Sequence, residues 1–211
     1  MGAMAPYFQV FPTQPGGIPT NAALVASQHM AWEVKVLDGG SEVGFERLHR
    51  PQFGNGAGYE VLKPLGQWPA GKTLRLKAKL GSSDYTLEHT IQVGAGPHLV
   101  APVCAWTGPI APDPRGPSIP EGAWPTNMPY RPSPHRRTFA LPSIISALEY
   151  ALEVMAIVDD RGKLYRVEGL IPHGAPPSVE TQITDLADHA RIVGLRITDM
   201  AGNHSAYGRD V

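Results

Sequence analysis

The sequence predicts an all-β protein organised as two tandem β-sandwich domains, and three observations carry that expectation. Glycine and proline number 23 and 22 among 211 residues, about a fifth of the chain against a typical ~12%, which breaks up long helices. Several runs alternate apolar and polar residues with a period of two, as half-buried strands do. Turn signals recur roughly every ten residues, the spacing of a sandwich.

The elements follow in order. Residues 7–12 (YFQVFP) and 22–28 (AALVASQ) flank the turn cluster TQPGGIPTN. In AWEVKVL (31–37), Trp32, Val34 and Val36 share one parity, and Asp38-Gly39-Gly40 follows as a hairpin signal. SEVGFERLH, the glycine-rich GNGAG (54–58) and YEVLKP (59–64) come next. KTLRLKAKL (72–80) is the cleanest strand, with Leu74, Leu76, Ala78 and Leu80 inward and Arg75, Lys77 and Lys79 outward. The chain returns as YTLEHTIQV (85–93), and GAGPH (94–98) marks the domain boundary.

Beyond it lie LVAPVCAW (99–106) and a segment, 107–136, that holds nine prolines and therefore forms neither a helix nor a central strand. ALEYALEVMAIV (147–158) has helical propensity. The following Asp159-Asp160-Arg161-Gly162 and KLYRVEGL make a hairpin the more economical reading. SVETQITDL (178–186), ARIVGLRIT (190–198) and HSAYGRD (204–210) complete the second set. The two sets could be a diverged duplicate, but their spacing is too loose to establish a repeat.

Charge and cysteine usage narrow the function classes. The formal net charge is −1, and the only cationic cluster is His135-Arg136-Arg137, so no basic face for nucleic acid is expected. Cys104 is the only cysteine, which rules out an intrachain disulfide and a cysteine-based zinc site. No apolar run approaches the ~18 residues of a membrane span, so direct membrane insertion is not expected. Met1-Gly2-Ala3-Met4 reads as a cloning remnant, and the lack of a visible export signal is weak evidence for the cytoplasm.

No loud catalytic motif is present, and no catalytic residue, cofactor or metal is expected. GNGAG lacks the strand-then-helix context and the following Lys-Ser/Thr of a phosphate cradle, so a plain loop is the simpler reading. The histidines are dispersed; a zinc site from His98, His135 and His173 would have to be assembled from distant loops. Cys104 sits in an apolar run, where a small buried side chain is the usual role. Asp159-Asp160 reads as a turn rather than an acid/base pair, and Glu149, Glu153 and Glu168 as solvent-facing strand residues. Asp199-Met200-Ala201-Gly202-Asn203 could be a calcium loop, but only Asp199 and Asn203 supply local oxygen ligands. A corner is expected there, with Gly202 and Asn203 able to take φ > 0 and Asp199 accepting backbone N–H groups.

Three stretches resemble bacterial immunoglobulin-like and fibronectin type III-like surface-protein domains. QPGGIPTNAALVAS (14–27) looks like the opening of such modules. YEVLKPLGQWPAGKTLRLKAKL (59–80) is similar to their run into the penultimate strand. SVETQITDLADHARIVGLRITDMAGNHSA (178–206) resembles their closing strand, corner and Asp-x-Ala-Gly-Asn turn. The corner tyrosine of these folds is missing: Leu74 and Arg191 stand in its place. The resemblance implies an immunoglobulin-like sandwich over 5–95 and an immunoglobulin-like or fibronectin type III-like one over 98–211, with 107–136 as an insertion.

It further implies an extracytoplasmic, non-enzymatic module for adhesion, spacing or recognition of a protein or glycan at the cell surface. A glycan-binding accessory domain of a secreted hydrolase is the alternative, and an enzyme with a site between the two domains is a third. The expected partner-binding residues are Trp106, Trp124, Tyr130, Arg136 and Arg137, which gather aromatic and guanidinium groups on the proline-rich insertion. The competing reading is that the insertion's aromatics pack it down as a cover on a sheet edge.

Overall fold

The computed structural model describes residues 16–27, 32–51, 58–80, 84, 87–113, 137–148, 150–181, 183 and 186–211. Among these residues the protein is all-β, with no helix and several antiparallel sheets. The first half contains β1 (Leu24–Ser27), β2 (Trp32–Asp38), β3 (Ser41–Glu42), β4 (Phe45–Pro51), β5 (Gly58–Pro64), β6 (Thr73–Leu80) and β7 (Leu87–Gln92). They form one sheet in the order β1-β5-β4 and another in the order β3-β2-β6-β7. Strand β6 shows why. Leu74, Leu76 and Ala78 are buried, while across the outer face Lys77 pairs with Glu88 and Lys79 with Glu33, each directly opposite in register.

The second half contains β8 (Val103–Cys104), β9 (Thr138–Ala140), β10 (Ile144–Ile145), β11 (Leu152–Asp160), β12 (Lys163–Ile171), β13 (Ser178–Glu180), β14 (Arg191–Thr198) and β15 (His204–Gly208). Its main sheet runs β12-β11-β14-β15, accompanied by the pairs β13-β9 and β10-β8. The four-strand orders β3-β2-β6-β7 and β12-β11-β14-β15 have the same pattern of connections, and β1-β5 and β9-β13 correspond likewise. The stretch 147–158 supplies β11, not a helix. It closes on β12 through Arg161 and Gly162, both at positive φ (57° and 84°), the backbone of a tight hairpin turn.

Each half has its own core. The first is built on Ile18, Leu24, Val36, Leu62, Trp68 and Leu74; the second on Phe139, Val154, Val158, Ile192, Leu195 and Ile197. A third core lies between them. Ala23, Val25 and Val61 of the first half pack with Leu148, Tyr150, Leu170 and Met200 of the second. Leu24 and Leu62 face one core while their neighbours Val25 and Val61 face another, so the β1-β5 pair is covered on both sides. That is why residues 22–25 read Ala-Ala-Leu-Val without alternation.

Two expected strands are much shorter than their apolar runs. Of residues 99–106 only Val103–Cys104 pairs, and Leu99, Val100 and Val103 are exposed. Of the described residues in 178–186, only Ser178–Glu180 form a strand.

Candidate functional site

The Asp199 turn is a corner, and it also joins the two halves. Asp199 is buried, and its Oδ1 accepts the backbone N–H groups of Ala201 and Asn203 at 2.9 Å each. Gly202 has φ +87°. Asn203 contributes through its side chain instead: Nδ2 donates to Asp199 Oδ2 at 3.1 Å and to the His98 carbonyl at 3.0 Å. Asn21, from the first half, donates to the carbonyls of His98 and Ala201 and accepts the His98 N–H at 2.9 Å. Residues 94–98 are therefore pinned: Gly94 N–H donates to Ile18 O and Thr20 N–H to Gly96 O.

Of the residues expected to bind a partner, Trp106 and Arg137 are described; Trp124, Tyr130 and Arg136 lie outside the described residues. Trp106 is half-buried against the second core and stacks on Tyr207, with centroids 6.4 Å apart and planes at 27°. Tyr207 accepts the Cys104 backbone N–H at 2.9 Å through its hydroxyl, so a tyrosine of the last strand ties β8 down. Arg137 forms an ion pair with Asp188. The first part of the insertion lies on the sandwich: Ile110 exchanges both backbone hydrogen bonds with Ile192, and Asp113 N–H donates to Thr138 O.

The other candidates resolve locally. Cys104 is buried, and desolvation raises its thiol pKa, the opposite of an activated nucleophile. Asp159 accepts the Gly162 N–H at 2.7 Å within its turn. His173 is exposed, His98 belongs to the junction, and His135 and GNGAG (54–57 of it) lie outside the described residues. No group of three or more potential metal ligands occurs among the described residues. Glu149 lies outside them too.

Glu153 corrects its sequence reading. It does not face open solvent: its side chain is 13% exposed, and it accepts from Arg50 Nε at 2.9 Å and Lys63 Nζ at 3.3 Å. The cause is the first half, whose β4 and β5 lie over the outer face of the second half's main sheet. These residues open a cleft between the halves of about 290 Å³, with Arg166, Glu168 and Arg196 on its sheet side. Sequence reasoning did not find this cleft. Its charged residues come from five strands and each reads as an ordinary outward position.

No protein-family model matches the chain, and no curated protein matches it.

Proposed function

We propose that the chain is a non-enzymatic, immunoglobulin-like module of a secreted or cell-envelope protein, serving adhesion, spacing or recognition of a protein partner. The strand orders support an immunoglobulin-like reading of both halves. Such sandwiches face a sheet containing strands B, E and D with one containing C, F and G, extended by C′ in some members. The orders β1-β5-β4 against β3-β2-β6-β7, and β9-β13 against β12-β11-β14-β15, match that plan.

One observation carries the spacing and display role: the junction between halves is a buried core closed by the Asn21, His98 and Asn203 hydrogen bonds. Domains joined by small polar interfaces move relative to one another; these are held, which suits a rigid spacer that presents its edges at a constant geometry. Small-angle scattering should give a profile that matches one rigid particle and does not change with temperature below unfolding. Surface digestion of intact source cells should remove the protein. Protection until lysis would rule out display on the cell surface, and conformational averaging in scattering would rule out the rigid spacer.

A second reading, a glycan-binding accessory domain of a secreted hydrolase, is favoured by the inter-half cleft, whose volume is near the lower end for small-ligand sites. Titration with neutral oligosaccharides tests it directly.

A further inference from the structure

We infer that the cleft between the two halves is a binding site for a small oxyanion, a carboxylate, phosphate or sulfate group carried on a ligand of about monosaccharide size. The inference does not need the adhesion reading and it refines the glycan reading, since neutral sugars and inorganic oxyanions test the two separately.

The charge balance is the first argument. Arg50, Lys63, Arg166 and Arg196 line the cleft against two carboxylates, Glu153 and Glu168, leaving a formal surplus of two positive charges. Each carboxylate is already engaged. Glu153 is shared by Arg50 and Lys63, and Glu168 accepts from Arg166 Nε at 2.6 Å.

Arg196 is the second argument. Among the described residues it has no ion pair, and its Nε is buried without an acceptor. A buried, unmet guanidinium N–H is unfavourable, and such a group in a native fold points to an absent water or ion. The strand register explains why no protein group meets it. Met155 lies between Arg196 on one neighbouring strand and Glu168 on the other, so two strand spacings, about 10 Å, separate their backbones, and the Glu168 carboxylate is turned to Arg166.

The donors are also of the right kind. Guanidinium forks match the planar or tetrahedral oxygens of carboxylate, phosphate and sulfate. Thr198, also on the cleft wall, adds a hydroxyl that can donate. The site is open at one side and about 290 Å³ in volume, which admits an anionic group with one sugar ring and excludes a folded partner. Walls drawn from both halves make binding depend on the junction.

The test uses the whole chain at low ionic strength, titrated calorimetrically with inorganic phosphate, sulfate, glucuronate and, as the neutral control, glucose. Saturable one-site binding of at least one oxyanion, none of glucose, and weakening by added sodium chloride are expected. Arg196→Gln should weaken binding about tenfold or more, as loss of a charged hydrogen bond does, and Arg196→Lys should retain part of it. Lys63→Gln and Arg166→Gln, which remove other cations of the cleft, should each weaken it severalfold and serve if Arg196→Gln does not fold. Preference for glucuronate over both inorganic ions assigns a sugar acid; preference for phosphate or sulfate assigns an esterified ligand. No binding by any oxyanion at about 10 mM, or undiminished binding in the folded variants, would overturn the inference.

Discussion

Asp199 and Tyr150 are buried polar residues with opposite circumstances. The Asp199 carboxylate is surrounded by donors, two backbone N–H groups and the Asn203 amide. Asp199→Ala would leave those N–H groups unmet, and chemical denaturation should show a loss of about 2–3 kcal/mol. Asp199→Asn keeps an acceptor and should lose less. Since the carboxylate oxygens are occupied by the turn, millimolar calcium or a chelator should leave the melting temperature unchanged. A ligand at 100 times its dissociation constant would add about 2.7 kcal/mol, a shift of several degrees that a thermal scan would register. The Tyr150 hydroxyl, by contrast, is buried with no partner among the described residues, and desolvation raises its pKa above the ordinary 10.0. The sign follows from linkage: above pH 10 the unfolded chain releases a proton that the folded chain retains. Stability is therefore full below pH 10 and falls as the pH rises beyond it, with Tyr59 acting in the same direction. Tyr150→Phe should leave stability at pH 7 unchanged or raise it by up to about 1 kcal/mol, and should flatten the alkaline decline in a pH series of denaturation curves. A clear loss at pH 7 would show that the hydroxyl has a partner.

Where β14 meets β15, Gly194 stands opposite Gly208 in register. A Cβ on Gly208 would lie 2.2 Å from the Val193 carbonyl oxygen, and its φ is +77°. Both clash and backbone oppose any side chain there, so Gly208→Ala should destabilise by more than about 2 kcal/mol. Gly66, with open space around its Cβ position and no positive φ, is the control: Gly66→Ala should change stability by less than about 0.5 kcal/mol. The same end of the sheet carries Trp106, stacked on Tyr207 and close to Gly208. Trp106→Ala should lower stability by about 2–4 kcal/mol through lost packing. If it does so without affecting partner capture, Trp106 is part of the cover and not of a recognition surface.

At the scale of the molecule, the core between the halves couples their folding. Calorimetry should show one unfolding transition, whereas two sandwiches on a free linker would melt separately. Leu170→Ala, which opens that shared core and spares the other two, should cost about 2–5 kcal/mol and broaden or split the transition. Limited proteolysis should spare residues 94–98, whose backbone is hydrogen-bonded to the first half. Two well-separated transitions would contradict the coupling.

The all-β class, most strands and several turns were readable from the chain because they depend on local chemistry. Alternation in 72–80 places Leu74, Leu76 and Ala78 inward wherever the strand packs, and Asp159-Asp160-Arg161-Gly162 favours a hairpin over the helical propensity of 147–158. The Asp199 corner was readable for the same reason. Other features required the assembled fold. Ala-Ala-Leu-Val at 22–25 departs from alternation because a second half covers the outer face of β1, and nothing in those four residues says what covers it. Val103 pairs with Ile145 in a short exposed ladder although 99–106 is an apolar run. Glu153 looks solvent-facing by parity and becomes a half-enclosed ion-pair centre only when Arg50, 103 positions away, and Lys63, 90 positions away, arrive beside it. Arg196 is likewise an ordinary outward residue until β4 and β5 close over its sheet. Period and turn chemistry act over a few residues, so sequence reveals them. Burial of an outer face and a surplus of charge in a cleft depend on which surfaces meet, and only the tertiary structure decides that.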